Sequence, residues 1–386
     1  MPLTIMRSPT DFFEWQAEAS TIAGPNIGSR LLRLHEGMIS PLHQYEFPAV
    51  VLESDLGPEV VARIFERINR TGLRLNAFDL MVARAIRPDW NLRDEFEGAR
   101  SANPWLAHVL GEDGLPLLST VALLSVGDVR EAAVLRLDGS VIREQWGRAV
   151  DGMGLAIDAL WNWGVISRDL VPYRAMLPVL AALLAQQPTY DRRALERWFW
   201  SRAFAKTFDV AANTKAVGEY QRLLAVKGAP VDIPLASADD LWLATRRTDG
   251  ALFRAFLSSL SAQLDLPSIA SRPDGPDDTR DPFNEAARVV QILPRWAGEL
   301  EEPPIHLRAL NIALAVRHRE TPSSTSIDDS TSDIPIDQLS RQYLTGPITL
   351  GQTDWREMFL TRLAGLSEFL LIHADQRLQA LQDPAV

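Results

Sequence analysis

The chain contains no cysteine. That excludes disulfides, thiolate zinc sites and cysteine nucleophiles, and it fits a cytoplasmic protein. The sequence also lacks any uninterrupted apolar run of about 18 residues, the length a membrane-spanning helix needs, so no membrane partner is expected. The opening MPLTIMRSPTDFFEW has one arginine and no long apolar core, and does not read as a secretory signal. No internal repeat is visible. There is no Walker P-loop, G-x-G-x-x-G, G-x-S-x-G or H-E-x-x-H. Positive charge is in short supply: the net charge of -11 argues against nucleic acid wrapped over the whole surface. A local basic groove stays compatible with that total, because phosphate binding depends on where the cations sit.

What the chain does have is length and apolar content. Its 386 residues, 46% hydrophobic, suffice for two or three domains and a sizeable core. The valine-rich run at 47–52 reads as a strand. Gly57-Pro58 is a turn signal, and a helix is expected over 59–70, with Val60, Val61, Ile64, Phe65 and Ile68 on one side. Gly72 reads as its C-cap. Asn76 reads as the N-cap of the next helix, with Asp79 in its first turn, and Pro88 as its end. From about residue 100 to 265 the pattern is helical almost throughout, with Gly, Pro, Asp and Asn at the joints, which is the pattern of a helical bundle. Residues 267–282 read as a polar, proline-rich connector, and 321–335 as a Ser/Thr/Asp-rich mobile segment. Further helices are expected over 305–319 and 354–381.

These elements predict a mainly α protein with a small α+β N-terminal part, a helical bundle and a helical C-terminal region. The expected divisions are residues 1–95, 96–266, a linker at 267–284, and 285–386 with a flexible 321–337 segment.

Two stretches carry candidate chemistry. In the first, residues 62–76, Arg67 and Arg70 can fork onto phosphate oxygens, Asn69 can donate and accept, and Gly72 lets backbone approach closely. The same pattern suits a plain helix joint in which Asn69 caps locally and the arginines are solvated. In the second, Arg193, Arg197, Arg202 and Lys206 interleave with Trp198, Phe199 and Trp200. Aromatics beside cations can stack on bases while the cations hold phosphates. They equally suit a bundle helix whose aromatics are core and whose arginines are its rim. Trp198 and Trp200 lie about 200° apart around a helix, so one is expected to be buried and the other partly exposed. Trp161 and Trp163 are expected in the core.

The sequence Ile64-Phe65-Glu66-Arg67-Ile68-Asn69-Arg70-Thr71-Gly72-Leu73-Arg74-Leu75 resembles the GmrSD-like family of modification-dependent, type IV restriction proteins. It matches a twelve-residue pattern I-F-x-R-I-N-x-T-G-x-x-L that follows a strand in their ParB-like domain. The Arg-Trp-Phe-Trp segment at 197–200 and a terminal segment with Tyr343-Leu344, Trp355 and Phe359 extend the likeness from about residue 30 to 370. The resemblance implies a ParB-like remnant at the N-terminus, a degenerate HNH-type domain over 285–386, and membership of a restriction or anti-phage system. It implies a nucleoside triphosphate and DNA as ligands, with Phe65, Arg67, Asn69, Arg70, Thr71 and Gly72 as the nucleotide- or phosphate-binding set. The nucleic-acid set would be Arg193, Arg197, Arg202 and Lys206.

Two family motifs are absent from these residues: the Asp-Gly-Gln-Gln-Arg implicated in nucleotide handling, and the His-His-Ile-Phe-Pro-like start of an HNH site. A partner subunit supplying the missing motif is one implication, and no nuclease activity from this chain alone is another. The alternative is an inert structural or interaction subunit derived from such an enzyme. His306, Asn311 and His318 do not rebuild a metal site if they share one helix, because twelve residues span about 18 Å. Asp328, Asp329 and Asp333 read as solvated linker carboxylates. No catalytic residue and no metal ligand is therefore assigned.

Overall fold

The computed structural model describes residues 9–43, 76–226, 236–293, 301, 303–317, 334–344, 354–375 and 378–379. The strand expected at 47–52, the helix expected at 59–70 and the whole of 65–72 lie outside the described residues. The chain separates into two compact units, Met1–Gly57 and Pro58–Val386. The expected divisions after residues 95, 266 and 284 all fall within the second.

In the first unit, α1 (Pro9–Ala23) packs on α2 (Pro25–Leu34). The joint is Gly24, whose φ of 89° favours a residue without a side chain. A π-helical turn His35–Ile39 and the one-turn α3 (Ser40–His43) follow. Phe12 is fully buried, with its ring 4.6 Å from that of His35.

The second unit is mainly α. The capping expected of Asn76 and Asp79 is present in full. The Asn76 side chain accepts from the Asp79 amide at 3.0 Å, and Asp79 accepts from the Asn76 amide at 3.0 Å, opening α4 (Ala77–Ala85). The helix stops before Pro88, with Ile86 already extended. Then come α5 (Leu92–Ala102), α6 (Pro104–Leu110), α7 (Leu115–Val126), α8 (Glu131–Leu135) and the long α9 (Gly139–Asn162). They are followed by α10 (Met176–Gln186), α11 (Arg192–Phe204), α12 (Ala212–Val226), α13 (Ala238–Leu243) and α14 (Gly250–Gln263). The expected bundle helices are thus all present.

At the centre, α10 is apolar on every face and buried from Met176 to Leu184, as a helix without a polar stripe must be. It is enclosed by α7, α9 and α12. The α9–α10 approach is closest at Gly152, where an added Cβ would lie 2.2 Å from the Ala181 carbonyl oxygen. Trp161 and Trp163 are buried, as expected.

The Trp198/Trp200 expectation fails: both are buried, at 6% and 0% exposure. The helix α11 is covered on two sides. Trp198 donates to Glu219 of α12, and Trp200 meets Phe369 edge-on at 5.0 Å.

Residues 270–281 carry no helix or strand, and the segment 267–284 is anchored to α9 at two points. The short α15 (Leu266–Ile269) sits there, Trp161 Nε1 donates to the Pro267 carbonyl at 3.2 Å, and Arg272 pairs with Asp158 at 2.6 Å. After α16 (Pro282–Ala286) comes β1 (Ala287–Gln291), antiparallel to β2 (Ile312–Val316), with Ala287 opposite Val316 and Gln291 opposite Ile312. This corrects the helix expected over 305–319. A short apolar run does not distinguish strand from helix by periodicity, and here Asn311 settles it. Its side chain accepts from the Leu293 amide at 2.9 Å and donates to the Leu293 carbonyl at 3.1 Å, locking the two segments side by side.

Past α17 (Ile336–Arg341), Gln342 serves the outer edge of β2. It accepts from the Leu314 amide at 2.6 Å and donates to the Leu314 carbonyl at 2.8 Å, answering backbone groups that an open edge leaves unpaired. The last long helix, α18 (Trp355–Ala374), lies on α11. No single helix among the described residues is long and apolar enough to cross a membrane. The α6–α7 pair passes on length and composition together but bends by 98°.

The α9–α10 contact yields a test. Gly152→Val should destabilise by about 1–3 kcal/mol or more through overpacking against backbone that has nowhere to retreat, measured by urea denaturation. A change below about 0.5 kcal/mol, the size of ordinary surface substitutions, would show that the helices are not in contact there.

Candidate functional site

Of the four cations assigned to nucleic acid, only Arg193 is plainly on the surface. Arg197 Nη1 pairs with Asp375 at 3.1 Å across the α11–α18 contact. Arg202 is buried, with Nε 2.8 Å from Glu219 Oε2; the two side chains are 3% and 6% exposed. Glu219 is a hub: its Oε2 also accepts from Trp198 Nε1 at 2.9 Å, and its Oε1 from Arg222 at 2.7 Å. Lys206 Nζ lies 2.9 Å from Asp249, 3.4 Å from Asp240 and 3.9 Å from Asp209. The aromatic residues of α11 and Arg202 therefore face inward, while Arg192 and Arg193 at its first turn are exposed. Arg202 is a correction to the sequence reading: a guanidinium this buried, on a carboxylate, does not reach a phosphate backbone. The available signal was Glu219, midway along the helix that follows.

The histidines do not assemble a metal site. His306 lies in a 3-10 turn (Ile305–Leu307), Asn311 is fully buried and committed to Leu293, and His318 is outside the described residues. Among the described residues no group of three His, Asp or Glu side chains converges as metal ligands would.

Among the described residues there is an open cleft of about 420 Å³, within the range of small-molecule sites. Its walls are largely apolar, from Pro116, Val129, Pro172 and Pro178 among others, and Tyr173 adds an aromatic face. The Tyr173 hydroxyl donates to Asp209 at 2.5 Å, and burial raises its pKa above the ordinary tyrosine value, so it stays protonated.

Two arginines line the cleft. Arg174 pairs with Asp113 at 3.2 Å, and Asp113 also accepts from the Leu115 amide at 3.0 Å, so this acid is already answered twice. Arg254 reaches in from α14. It donates through Nη2 to the Pro172 carbonyl at 2.8 Å, its Nε is shielded from solvent without a hydrogen-bond partner, and no carboxylate among the described residues pairs with it. Burial holds its pKa below the usual arginine value. Leu115 and Ala212, the first residues of α7 and α12, and Ala175, which precedes α10, stand at the rim. The N-cap of α10 is Ala175, which has no capping side chain, and α12 starts after Ala211. Nothing in the sequence pattern marked this cleft, because its residues come from four separated helices and the turns beside them.

No family model matches the chain. Uncharacterized protein MJ0686 of Methanocaldococcus jannaschii is similar, 24% identical over 245 residues that cover 58% of this chain. The chain spans 39% of that protein's length.

The Glu219 hub can be tested directly. Glu219→Ala strands the Arg202 cation in the interior and should cost about 3–5 kcal/mol. The double variant Glu219→Ala with Arg202→Met should recover much of that loss. Chemical denaturation of the three proteins checks it, and a single-variant cost under about 1 kcal/mol, the worth of an exposed pair, would contradict the buried pair.

Proposed function

We propose that this chain is a component of a restriction or anti-phage defence system that binds a nucleoside triphosphate or nucleic acid and does not cut DNA on its own. The observation that carries the reading is the twelve-residue stretch 64–75, resembling the GmrSD-like pattern and followed at once by the capped start of α4. The resemblance puts the phosphate contacts on Arg67, Asn69, Arg70, Thr71 and Gly72, with Phe65 anchoring the segment. The ion pairs that occupy Arg197, Arg202 and Lys206 favour a nucleotide over an extended nucleic-acid strand. Those same pairs favour a second reading, an inert structural or interaction subunit, because they turn the most cationic helix into scaffold.

Titration of GTP, ATP and short DNA against wild type and Asn69→Ala, with Tm followed in parallel, separates the two. On the nucleotide reading, Asn69→Ala loses affinity by about 0.5–1.5 kcal/mol per lost hydrogen bond, or about 1.5–3 where the partner is charged, with an unchanged Tm. Wild type that binds none of the three supports the structural subunit, and so does an Asn69→Ala variant that melts early.

The purified chain should leave plain, methylated and glucosylated DNA intact in Mg²⁺ or Mn²⁺. Metal-dependent cleavage would overturn the non-nuclease part of the reading.

A further inference from the structure

We propose that the core of the second unit takes up one small monovalent anion, a halide, held by the Arg362 guanidinium of α18 and the Tyr343 hydroxyl. Arg362 is fully buried. Its Nη1 is committed to the Leu310 and Ile312 carbonyls, at 3.0 and 2.7 Å, and its guanidinium carbon lies 5.1 Å from the Phe256 ring centre. Nε and Nη2 are shielded from solvent and have no hydrogen-bond partner among the described residues. Burial lowers the pKa only to about 9, so the group keeps its charge at neutral pH. Among the described residues, Tyr343 is the titratable group that acts on it, and no carboxylate does.

The second donor comes from another segment. Tyr343 follows α17, and its ring lies against Gly365, one turn along α18 from Arg362. An added Cβ at Gly365 would be 2.1 Å from that ring, so a residue without a side chain is what admits the tyrosine to this face. The hydroxyl is shielded as well, and its proton has no acceptor among the described residues. Gln263 of α14 acts on its oxygen as a donor, and Glu368, exposed on α18, acts on Tyr343 but not on Arg362. Burial raises the Tyr343 pKa above the ordinary value, so the proton stays on the oxygen.

The chemistry selects the occupant. Every unanswered atom is a donor, so the occupant accepts and has no need to donate. A water molecule answers hydrogen bonds but leaves the charge uncompensated in a dry interior, which is costly. One positive charge calls for one negative charge. Arg362 has no exposed surface, so a carboxylate or phosphate carried on a larger body cannot reach it from outside. Chloride meets all of these conditions and would enter as the unit folds. This site is independent of the 64–75 stretch.

The test is the Tm of the full chain across roughly a hundredfold range of sodium chloride, with total sodium held constant by gluconate, an anion too large for an enclosed site. Wild type should gain about 2–4 °C for each tenfold rise in chloride above its Kd, as for any ligand that binds only the folded state. Bromide should act alike. Arg362→Met should abolish the dependence. Tyr343→Phe removes one donor and leaves the cation, and should weaken chloride by roughly tenfold. Line broadening of the ³⁵Cl resonance by wild type, reduced in Tyr343→Phe, decides the matter if Arg362→Met fails to fold. A wild-type Tm indifferent to chloride overturns the proposal and leaves these donors to internal water. An Arg362→Met protein that responds as wild type does overturns it, as does a chloride affinity unchanged in Tyr343→Phe.

Discussion

The second unit is organised around a helix with no side that tolerates water. From Met176 to Leu184 every residue of α10 is buried, two alanines and a proline included. Such a helix is stable only when enclosed, so α7, α9 and α12 are its walls rather than separate layers. The small residues decide how close the walls come: Gly152 of α9 rides directly on the Ala181 carbonyl. The cleft follows from the same constraint. The cleft lies at the N-terminal end of α10, and that end is where Arg174 and Arg254 stand.

The interior also holds charge, in two different ways. Around Glu219 the charges are paired and hydrogen-bonded, so α11 and α12 are joined in a fixed register. At Arg362 of α18 no carboxylate among the described residues forms an ion pair. The guanidinium is fully buried, donates through Nη1 to the Leu310 and Ile312 carbonyls at 3.0 and 2.7 Å, and lies 5.1 Å from the Phe256 ring centre. Its Nε and Nη2 have no hydrogen-bond partner among the described residues, and burial pushes its pKa down to about 9. Backbone carbonyls at the entry to β2 are answered in exchange. That ties α18 to the small sheet as Gln342 ties the segment after α17 to it.

Residue patterns alone determined the mainly α class, the capped start at Asn76, the bundle helices between residues 139 and 263, and the burial of Trp161 and Trp163. These are consequences of local periodicity and capping chemistry, which neighbours in sequence fully specify. Only tertiary structure decided the strand at Ile312–Val316, because a five-residue apolar run becomes a strand when an edge such as Ala287–Gln291 is there to pair with it. It also decided that both Trp198 and Trp200 are interior, since a helix flanked by α12 and α18 has two inward faces. The cations of α11 followed the same rule: Arg202 is inside because Glu219, seventeen positions later, is inside with it. The cleft belongs wholly to tertiary structure. Its arginines lie eighty residues apart in sequence, and only the enclosure of α10 brings them to one opening.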